Sequence, residues 1–405
     1  MTPPTRSLHK TEFVALMAML VATVALSIDS MLPAFPDIAA ELTPDNVNKA
    51  QLIVSFFIFG MGVGTVFVGP LADAFGRKTV VGWASVLFVV GALLAWQAPT
   101  LEMLLAARFL QGLGAAGPRI VTLSIVRDLY AGRDMARILS FIFMIFSLIP
   151  AVAPSMGYLV ITIFDWRAIF LAFVLFSLAS STWLWLRQPE TLEPENRRPL
   201  RLPTIISAVR DVFVPASTRL SIVIQTLSFG VLFTAIQSIQ PVFDITFDQS
   251  AHFHLWFAGL ALVAMTSSML NAFLVTRYGM RAILRVSYLV LAMVSAALVV
   301  LYSVLPSDTA RFVGFLLFVQ TTFYVTGLTL GNLNALALEP LGHIAGTASS
   351  VIAAISTICS MLIAIPLGMA FDGTPIPWAV GVTVCAILAY LLTRMIKRPS
   401  DAELP

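Results

Sequence analysis

Twelve apolar runs, each about 20 residues long, most constrain what this chain can fold into. A helix of roughly 20 apolar residues crosses the hydrocarbon core of a bilayer, whereas barrel strands alternate polar and apolar residues over about 10 positions. Only 11% of the 405 residues are charged, against about 25% in soluble domains. The pattern therefore predicts an all-α membrane protein. The expected spans are about 12–34, 50–72, 79–97, 101–125, 138–163, 168–187, 219–243, 253–276, 283–304, 311–335, 346–369 and 377–396.

Basic residues are concentrated on one side of these spans. Most of the 24 lysines and arginines fall on the side of the N-terminus, and cytoplasmic loops of membrane proteins carry such an excess. The cytoplasmic set includes Arg6, Arg198, Arg201, Lys397 and Arg398. An even number of spans puts both termini on one side, so we expect a multi-pass protein of a bacterial-type inner membrane with both termini cytoplasmic. The first run lacks a small-residue cleavage site, so it is predicted to stay as a span.

A polar segment at 189–218 separates two groups of six spans. The chain is therefore predicted to form an N-terminal six-helix bundle at 1–188, a cytoplasmic linker at 189–218 and a C-terminal six-helix bundle at 219–405. The second half of the linker, from Leu202 to Phe213, has the pattern of a short amphipathic helix lying on the inner membrane surface.

The two halves share short sequence matches. Ala107-Arg108-Phe109 recurs as Ala310-Arg311-Phe312, and at the same offset Gly76 falls on Gly279 and Lys78 on Arg281. These matches indicate two pseudo-symmetric bundles. Parallel repeats of six spans, with a site between them near the midplane, are a transporter architecture.

A carboxylate stands inside the first apolar run. Asp29 follows an uncharged stretch from Phe13 to Ile28. A charge at membrane depth costs roughly 2.5–3.5 kcal/mol on insertion scales, so such a residue is by default assigned a functional role facing a partner or a water-filled cavity. We therefore expect Asp29 to be a proton-binding group.

The loop after the second span carries the sequence Gly69-Pro-Leu-Ala-Asp-Ala-Phe-Gly-Arg-Lys78. It resembles the signature G-x-L-A-D-R-x-G-R-K of the major facilitator superfamily, with Ala74 in place of the usual arginine. The resemblance implies the twelve-helix major facilitator fold and a latch that holds the two halves in the outward-open state. By the same resemblance Asp128 pairs with Arg77; a solvated loop charge is the alternative. The latch residues so implied are Gly69, Asp73, Gly76, Arg77, Lys78 and Asp128.

The first half of the fourth span carries Arg108, followed by Gln111 and Gly112. This resembles the R-x-x-Q-G motif of the superfamily, which in drug:proton antiporters is associated with proton coupling. Arg108 lies about 10 Å from the start of its span, at a depth similar to Asp29, so an ion pair between them is possible. Arg119 lies about three turns further along the same face, and we assign it to the proton-coupling residues together with Asp29 and Arg108. An arginine that only joins helices through carbonyl oxygens is the competing interpretation.

The fifth span contains Pro150, Pro154 and Gly157. Two prolines one turn apart bend a helix and free carbonyl groups. The stretch resembles the antiporter motif G-P-x-x-G-G of drug exporters, with Ala153 and Tyr158 replacing two glycines. Together with Asp-x-x-Leu-Pro at 29–33 and Asp-Trp-Arg at 165–167, it is similar to the Bcr/CflA (bicyclomycin/chloramphenicol resistance) branch.

Side-chain amides in the second half are candidate substrate ligands. Amides among Phe and Met side chains suit a neutral or weakly polar organic compound, although hydrogen bonding between helices is the competing role. The candidates are Gln225, Gln237, Gln240, Asn271, Gln320 and Asn332.

No enzyme is predicted. The sequence has no Walker loop, and the four histidines lie in tails or loops without the ligand count of a metal site. We therefore expect a secondary active transporter that exports a small organic compound against protons. It is expected to need no metal or cofactor, to bind no nucleic acid and to be a monomer in the lipid bilayer. A proton-coupled importer or uniporter of a metabolite is the alternative, and a membrane sensor that does not transport is a third.

Overall fold

The computed structural model describes residues 8–197, 199–200, 202–305 and 307–396. The described residues divide into two compact units, the first ending at Ile205 and the second beginning at Ile206. Fourteen α-helices are present there: α1 Lys10–Asp29, α2 Phe35–Leu42, α3 Leu52–Phe75, α4 Arg77–Trp96, α5 Leu101–Leu129, α6 Gly132–Ile163, α7 Ala168–Arg187, α8 Leu202–Val212, α9 Ala216–Pro241, α10 Phe253–Tyr278, α11 Met280–Leu301, α12 Asp308–Leu338, α13 Ala345–Met369 and α14 Ile376–Met395.

Twelve helical segments in the described ranges are long and apolar enough to cross a membrane. The predicted fold class, an all-α membrane protein with twelve spans, is confirmed. The first span is longer than predicted, since it runs from Lys10 to Leu42 and combines α1 and α2. Pro33 and Pro36 lack the amide proton that a continuous helix needs, and a 3₁₀ turn at Leu32–Ala34 joins the two pieces. The break places Asp29 as the last residue of α1.

The first unit is assembled around α5, which contacts α3 and α4 extensively. Small residues make this packing possible. A methyl group added at Gly112 would overlap the carbonyl oxygen of Phe57, and one added at Gly60 would overlap that of Phe109. Close approach of backbones through glycine is the usual way in which helices associate in membranes. The glycines of α5 and α3 therefore determine how close these two helices lie.

The two units repeat the same pattern of helix contacts. The main contacts in the first unit are α1 with α5, α6 and α7, α3 and α4 with α5, and α4 with α7. The second unit has the matching contacts, α9 with α12, α13 and α14, α10 and α11 with α12, and α11 with α14. Gly76 and Gly279 occupy equivalent junctions with φ of 99° and 77°, a conformation that favours glycine. The repeat predicted from the sequence is confirmed at this level.

The match between Arg108 and Arg311 does not extend to their surroundings. The caps of the two helices correspond instead, since Thr100 accepts a hydrogen bond from the amide of Met103 and Ser307 one from the amide of Ala310. Arg311 therefore lies about one turn nearer the start of its helix than Arg108 does. Its guanidinium is paired with Asp308 at 3.2 Å, whereas Arg108 is fully buried.

The linker contains the helix that the sequence predicted, here α8 at Leu202–Val212. The division between the two units falls inside this segment. Arg6, Arg198, Arg201, Lys397 and Arg398, which the charge count assigns to the cytoplasmic side, lie outside the described residues.

Candidate functional site

Asp29 is buried at the C-terminal end of α1, with 4% of its surface exposed. Within the described ranges, no group is hydrogen-bonded or ion-paired to its carboxyl. The next residue, Ser30, has a buried hydroxyl oxygen that is also without a hydrogen-bond partner. Buried polar groups in proteins are nearly always satisfied, and exceptions mark functional groups or bound water. Asp29 thus stands out among the carboxylates of the first unit.

Arg108 is fully buried and joins three helices. Its Nη2 donates to the carbonyl oxygen of Ser27 on α1 at 2.9 Å and its Nε to that of Ile53 at the start of α3 at 3.3 Å. Its Nη1 donates to Oε1 of Gln111 on its own helix at 2.6 Å. The guanidinium carbon lies 4.4 Å from the centroid of the Phe57 ring. A buried arginine is stabilised by such carbonyl and cation–π contacts in place of water.

The ion pair between Asp29 and Arg108 that the sequence made possible is not formed in this structure. The guanidinium donates to fixed backbone oxygens and to Gln111, so none of its observed hydrogen bonds is directed at the Asp29 carboxyl. The contacts match the competing interpretation, in which Arg108 holds helices together. Arg119 does lie on the same face, because its Nη1 is 3.8 Å from the Met61 sulfur of α3. Arg119 has no ion pair among the described residues.

The end of α1 packs directly against the proline-containing part of α6. Pro150 and Pro154 both lie inside α6, which continues through them from Gly132 to Ile163. Each proline lacks an amide proton, so the carbonyl four residues earlier loses its helical partner. A methyl group at Gly157 would overlap the carbonyl oxygen of Ser30. The antiporter-type helix is therefore in backbone contact with the residue next to Asp29.

We expect Gly157→Ala to disturb this contact. The new methyl group must push α6 away from Ser30, because a backbone oxygen cannot rotate aside as a side chain does. The expected cost is about 1–3 kcal/mol, measured as a lower melting temperature of the purified protein. Gly259→Ala on α10, where a methyl group meets nothing within 4 Å, is the matched control and should leave the melting temperature unchanged or slightly raised. Equal stability of the two variants would contradict the prediction.

The loop between α3 and α4 is organised around the buried side chain of Arg77. Its Nη1 lies 2.5 Å from Oδ1 of Asp73, and its Nε lies 2.9 Å from Oδ2 of Asp128 at the end of α5. The predicted pairing of Arg77 with Asp128 is therefore present. Thr191 donates a further hydrogen bond to Asp128 at 2.9 Å. Gly69 lies within α3 and is half-buried.

Glu190 completes this cluster, and the sequence analysis missed it. Its carboxylate accepts hydrogen bonds from the backbone amides of Arg77 at 2.9 Å and Lys78 at 3.0 Å, the first two residues of α4. An anion at this position satisfies free amides and interacts with the positive end of the helix dipole. A methyl group at Gly76 would lie 2.8 Å from Glu190 Oε2, so the motif glycine also leaves room for the acid. Lys78 Nζ donates to the carbonyl oxygen of Trp185 at 3.2 Å.

Glu190→Gln is expected to lower the free energy of unfolding by about 1–2 kcal/mol, since the charge at the helix terminus and its charge-assisted hydrogen bonds are lost. The measurement is the melting temperature of the detergent-purified protein. Glu193→Gln is the matched control, because Glu193 is exposed three residues further along the same linker. A shift of the same size in both variants would show that Glu190 has no special role.

The structure separates the six candidate substrate amides into two groups. Gln237 donates to the carbonyl oxygen of Ala364, and Asn332 donates to Asn271 at 2.8 Å, so these three join helices within the second unit. The other three each retain a buried polar atom without a hydrogen-bond partner. These atoms are Oε1 of Gln225, Nε2 of Gln240 and Nε2 of Gln320.

Two repeated bundles of six membrane-spanning helices, with a motif loop cross-linked by Arg77 and a buried acid in the first helix, define a secondary transporter and not an enzyme. The particular family follows from comparison with known sequences. The chain belongs to the Major Facilitator Superfamily, whose family model matches residues 17–364. It is accordingly a multi-pass protein of the inner-membrane type that transports a small molecule.

Similar proteins from bacteria are named for drug resistance. A bicyclomycin resistance protein homolog of Haemophilus influenzae is 29% identical over 95% of this chain and 97% of its own length. The multidrug resistance protein MdtL of Salmonella typhi is 29% identical over 92% of both chains. These relatives are consistent with the Bcr/CflA-like branch that the motifs indicated.

Solved structures with the same fold are distant in sequence. The xylose transporter XylE of E. coli, in a partially occluded inward-open conformation, superposes with a TM-score of 0.74 over 98% of this chain and 100% of that chain at 13% identity. The human organic anion transporter MFSD10 gives a TM-score of 0.66 over 96% and 99% at 15% identity. Likeness at this level establishes the fold alone.

Proposed function

We propose that this chain is a proton-coupled exporter of a small organic compound, working by alternating access in a bacterial inner membrane. The observation that carries the proposal is the buried Asp29 carboxyl, which no described group pairs. The names of the bacterial relatives support drug-like substrates. We further propose that both termini lie in the cytoplasm, because basic residues are in excess on that side. The protein is also proposed to be a monomer.

In the proposed mechanism Asp29 is the group that exchanges the transported proton. It is the last residue of α1 and its neighbour Ser30 touches α6 at Gly157. A change in its charge changes the cost of keeping that end of α1 away from water. Proton binding would thus alter the preferred packing of α1 on α6, and substrate would occupy the site in the opposite charge state. Arg108 acts as a positioning residue that fixes α1 and α3 while α6 moves.

Arg77 is proposed to form the first unit's side of the cytoplasmic latch, since its ion-pair partners Asp73 and Asp128 both lie in that unit. Its side chain is held between Asp73 and Asp128, so the ends of α3, α4 and α5 are cross-linked by one guanidinium. The counterpart of Asp73 in the second half is Thr276, but Arg281 near the start of α11 pairs with Glu339 after α12 at 3.1 Å. The second unit therefore keeps an ion pair between the equivalent helices and lacks the one to the position of Asp73. The ends of α3, α4 and α5 would move as one body when the transporter changes state.

The experiment that tests the function is transport by the purified protein in proteoliposomes. Bicyclomycin, named for one relative, is the first probe, followed by a panel of antibiotics and small metabolites. With an imposed pH gradient, an exporter moves substrate toward the acidic side, in exchange for protons. Movement of substrate in the same direction as protons would identify an importer, the alternative that Ala153 and Tyr158 in the antiporter-type helix leave open.

We also propose that Gln225 and Gln240 on α9 contact the substrate. Both are buried and each retains an unpartnered polar atom, whereas Gln237 on the same helix is engaged with Ala364. Gln225→Leu is expected to weaken substrate binding by about 1–3 kcal/mol, measured as the ligand-induced rise in melting temperature. Gln237→Leu, the control, should lower the stability of the protein without ligand and leave the size of that rise unchanged.

A further inference from the structure

Helix α8, in the linker segment of the chain, has apolar residues that are buried and others that are exposed. Val212 is fully buried in a cluster with Ile222 of α9 and Leu341 after α12, and Val209 packs against the same cluster. These residues attach α8 to the second unit. Arg219 strengthens the attachment, since its Nη1 donates to the carbonyl oxygens of Phe213 at 2.9 Å and Val214 at 3.2 Å, just after the helix ends. The position of α8 on the second unit is therefore fixed.

Apolar residues on another side of this segment are exposed. Ile206 and Phe213 have 67% and 38% of their surfaces exposed, and Arg210 between them is also exposed. Ile206 and Arg210, four positions apart, lie on one side of the helix, and Phe213 follows directly after its last residue. Val214, which follows the helix, is 67% exposed as well. Ser207 and Asp211 form a polar side, and both are exposed.

We propose that this exposed face, formed by Ile206, Arg210 and Phe213, inserts into the surface of the bilayer and binds anionic phospholipid headgroups. The occupant follows from position and charge. Helix α8 ends at Val212, and α9, a membrane span, begins at Ala216, so the end of α8 is tied close to the surface of the bilayer. Five arginines and one acid occur between residues 197 and 219. Apolar side chains flanked by arginine are the composition of a helix that lies in the interface of an anionic membrane.

This inference is independent of the direction and the coupling of transport, because it rests on the contacts and exposure of α8 and on the charge of the linker sequence. Each arginine near an anionic surface contributes about fivefold in binding, from roughly 1 kcal/mol per charge. The contact would hold the linker, and through Val209 and Val212 the cytoplasmic end of the second unit, at a constant depth in the membrane.

Depth-dependent fluorescence quenching tests the proposal with the full-length protein. A fluorophore is attached at Ile206→Cys or, as the matched control on the polar side, at Ser207→Cys. The native protein labelled in parallel gives the background from Cys359 and Cys385. The vesicles contain phosphatidylcholine with brominated acyl chains and about one-third phosphatidylglycerol, the anionic component. We expect quenching at 206 to be at least about twofold stronger than at 207.

Charge dependence is measured in the same assay. Quenching at 206 should fall in vesicles of phosphatidylcholine alone, and also on raising NaCl from about 0.1 M to about 1 M, which shortens the Debye length from about 10 Å to about 3 Å. Arg210→Gln should reduce the inserted fraction by about fivefold, whereas Arg210→Lys should retain it. Equal quenching at 206 and 207, or no dependence on phosphatidylglycerol, overturns the proposal. So does shielding of the label at 206 from both brominated lipid and aqueous iodide, because another protein surface then covers the face.

Discussion

Asp29→Asn is expected to abolish substrate accumulation driven by a pH gradient. Asparagine has nearly the same shape as the protonated carboxyl but cannot release a proton, so the variant stays in the proton-bound form, which the proposed mechanism keeps free of substrate. One proton moving down a gradient of one pH unit supplies about 1.4 kcal/mol, which sustains roughly tenfold accumulation of an exchanged neutral substrate. We therefore expect accumulation in proteoliposomes to fall about tenfold, so that the substrate concentration is the same on both sides of the membrane.

The same preparation provides the controls. Exchange of labelled for unlabelled substrate without a gradient should be lost as well in Asp29→Asn, because substrate binding needs the carboxyl that has released its proton. Asp37→Asn on α2 is the matched variant, since Asp37 lies in the same span and is exposed; it should accumulate substrate as the native protein does. Native accumulation by Asp29→Asn would remove Asp29 from the coupling role and leave the fold untouched.

The number and placement of the spans could be predicted because each span is a local property of about 20 consecutive residues. The pairing of Arg77 with Asp128 could also be predicted, through a motif of the family. Both residues lie at the ends of helices that the motif brings together, and the bond joins positions 51 residues apart. Local patterns and family motifs thus account for the framework and for one of its ion pairs.

Glu190 could not be found this way, because it meets its partners only after the chain has crossed the membrane several times and returned to the start of α4. Its bonds to the amides of Arg77 and Lys78 join residues 113 and 112 positions apart. No spacing rule connects an acid in the linker with the start of α4. One sequence signal does point to Glu190. It is a carboxylate directly after a span, on the same side of the membrane as a helix start without a cap, because Gly76 provides no side chain to cap α4.

The environment of Arg108 was predicted only as one of two possibilities, and for a physical reason. Depth alone places Arg108 near Asp29, but the direction of a long side chain is decided by what packs around it. Here the glycines of α5 and α3 bring the helices close enough for the guanidinium to reach the oxygen of Ile53. Fixed carbonyl oxygens on two neighbouring helices then satisfy it without a carboxylate.

Arg108→Lys is expected to lose stability and transport almost as completely as Arg108→Gln. This result separates a structural role of Arg108 from a role of its charge alone. An ammonium is a point charge, whereas the planar guanidinium reaches three acceptors in different directions. Those acceptors are the carbonyl oxygens of Ser27 and Ile53 and Oε1 of Gln111. A lysine would lose about two of three charge-assisted hydrogen bonds at roughly 1.5 kcal/mol or more each, a total near 3 kcal/mol.

The measurement is the melting temperature together with transport for each variant. A loss near 3 kcal/mol in a unit of about 200 residues lowers the melting temperature by roughly 6–12 °C. Arg119→Lys is the matched control, because Arg119 lies on the same face of α5 and, within the described part of the chain, its guanidinium hydrogen-bonds only to the sulfur of Met61; it should retain stability. If Arg108→Lys kept native stability and transport while Arg108→Gln lost both, the positive charge would be the essential property. Arg108 would then belong with Asp29 in the coupling step, and its carbonyl contacts would describe only one state of the transport cycle.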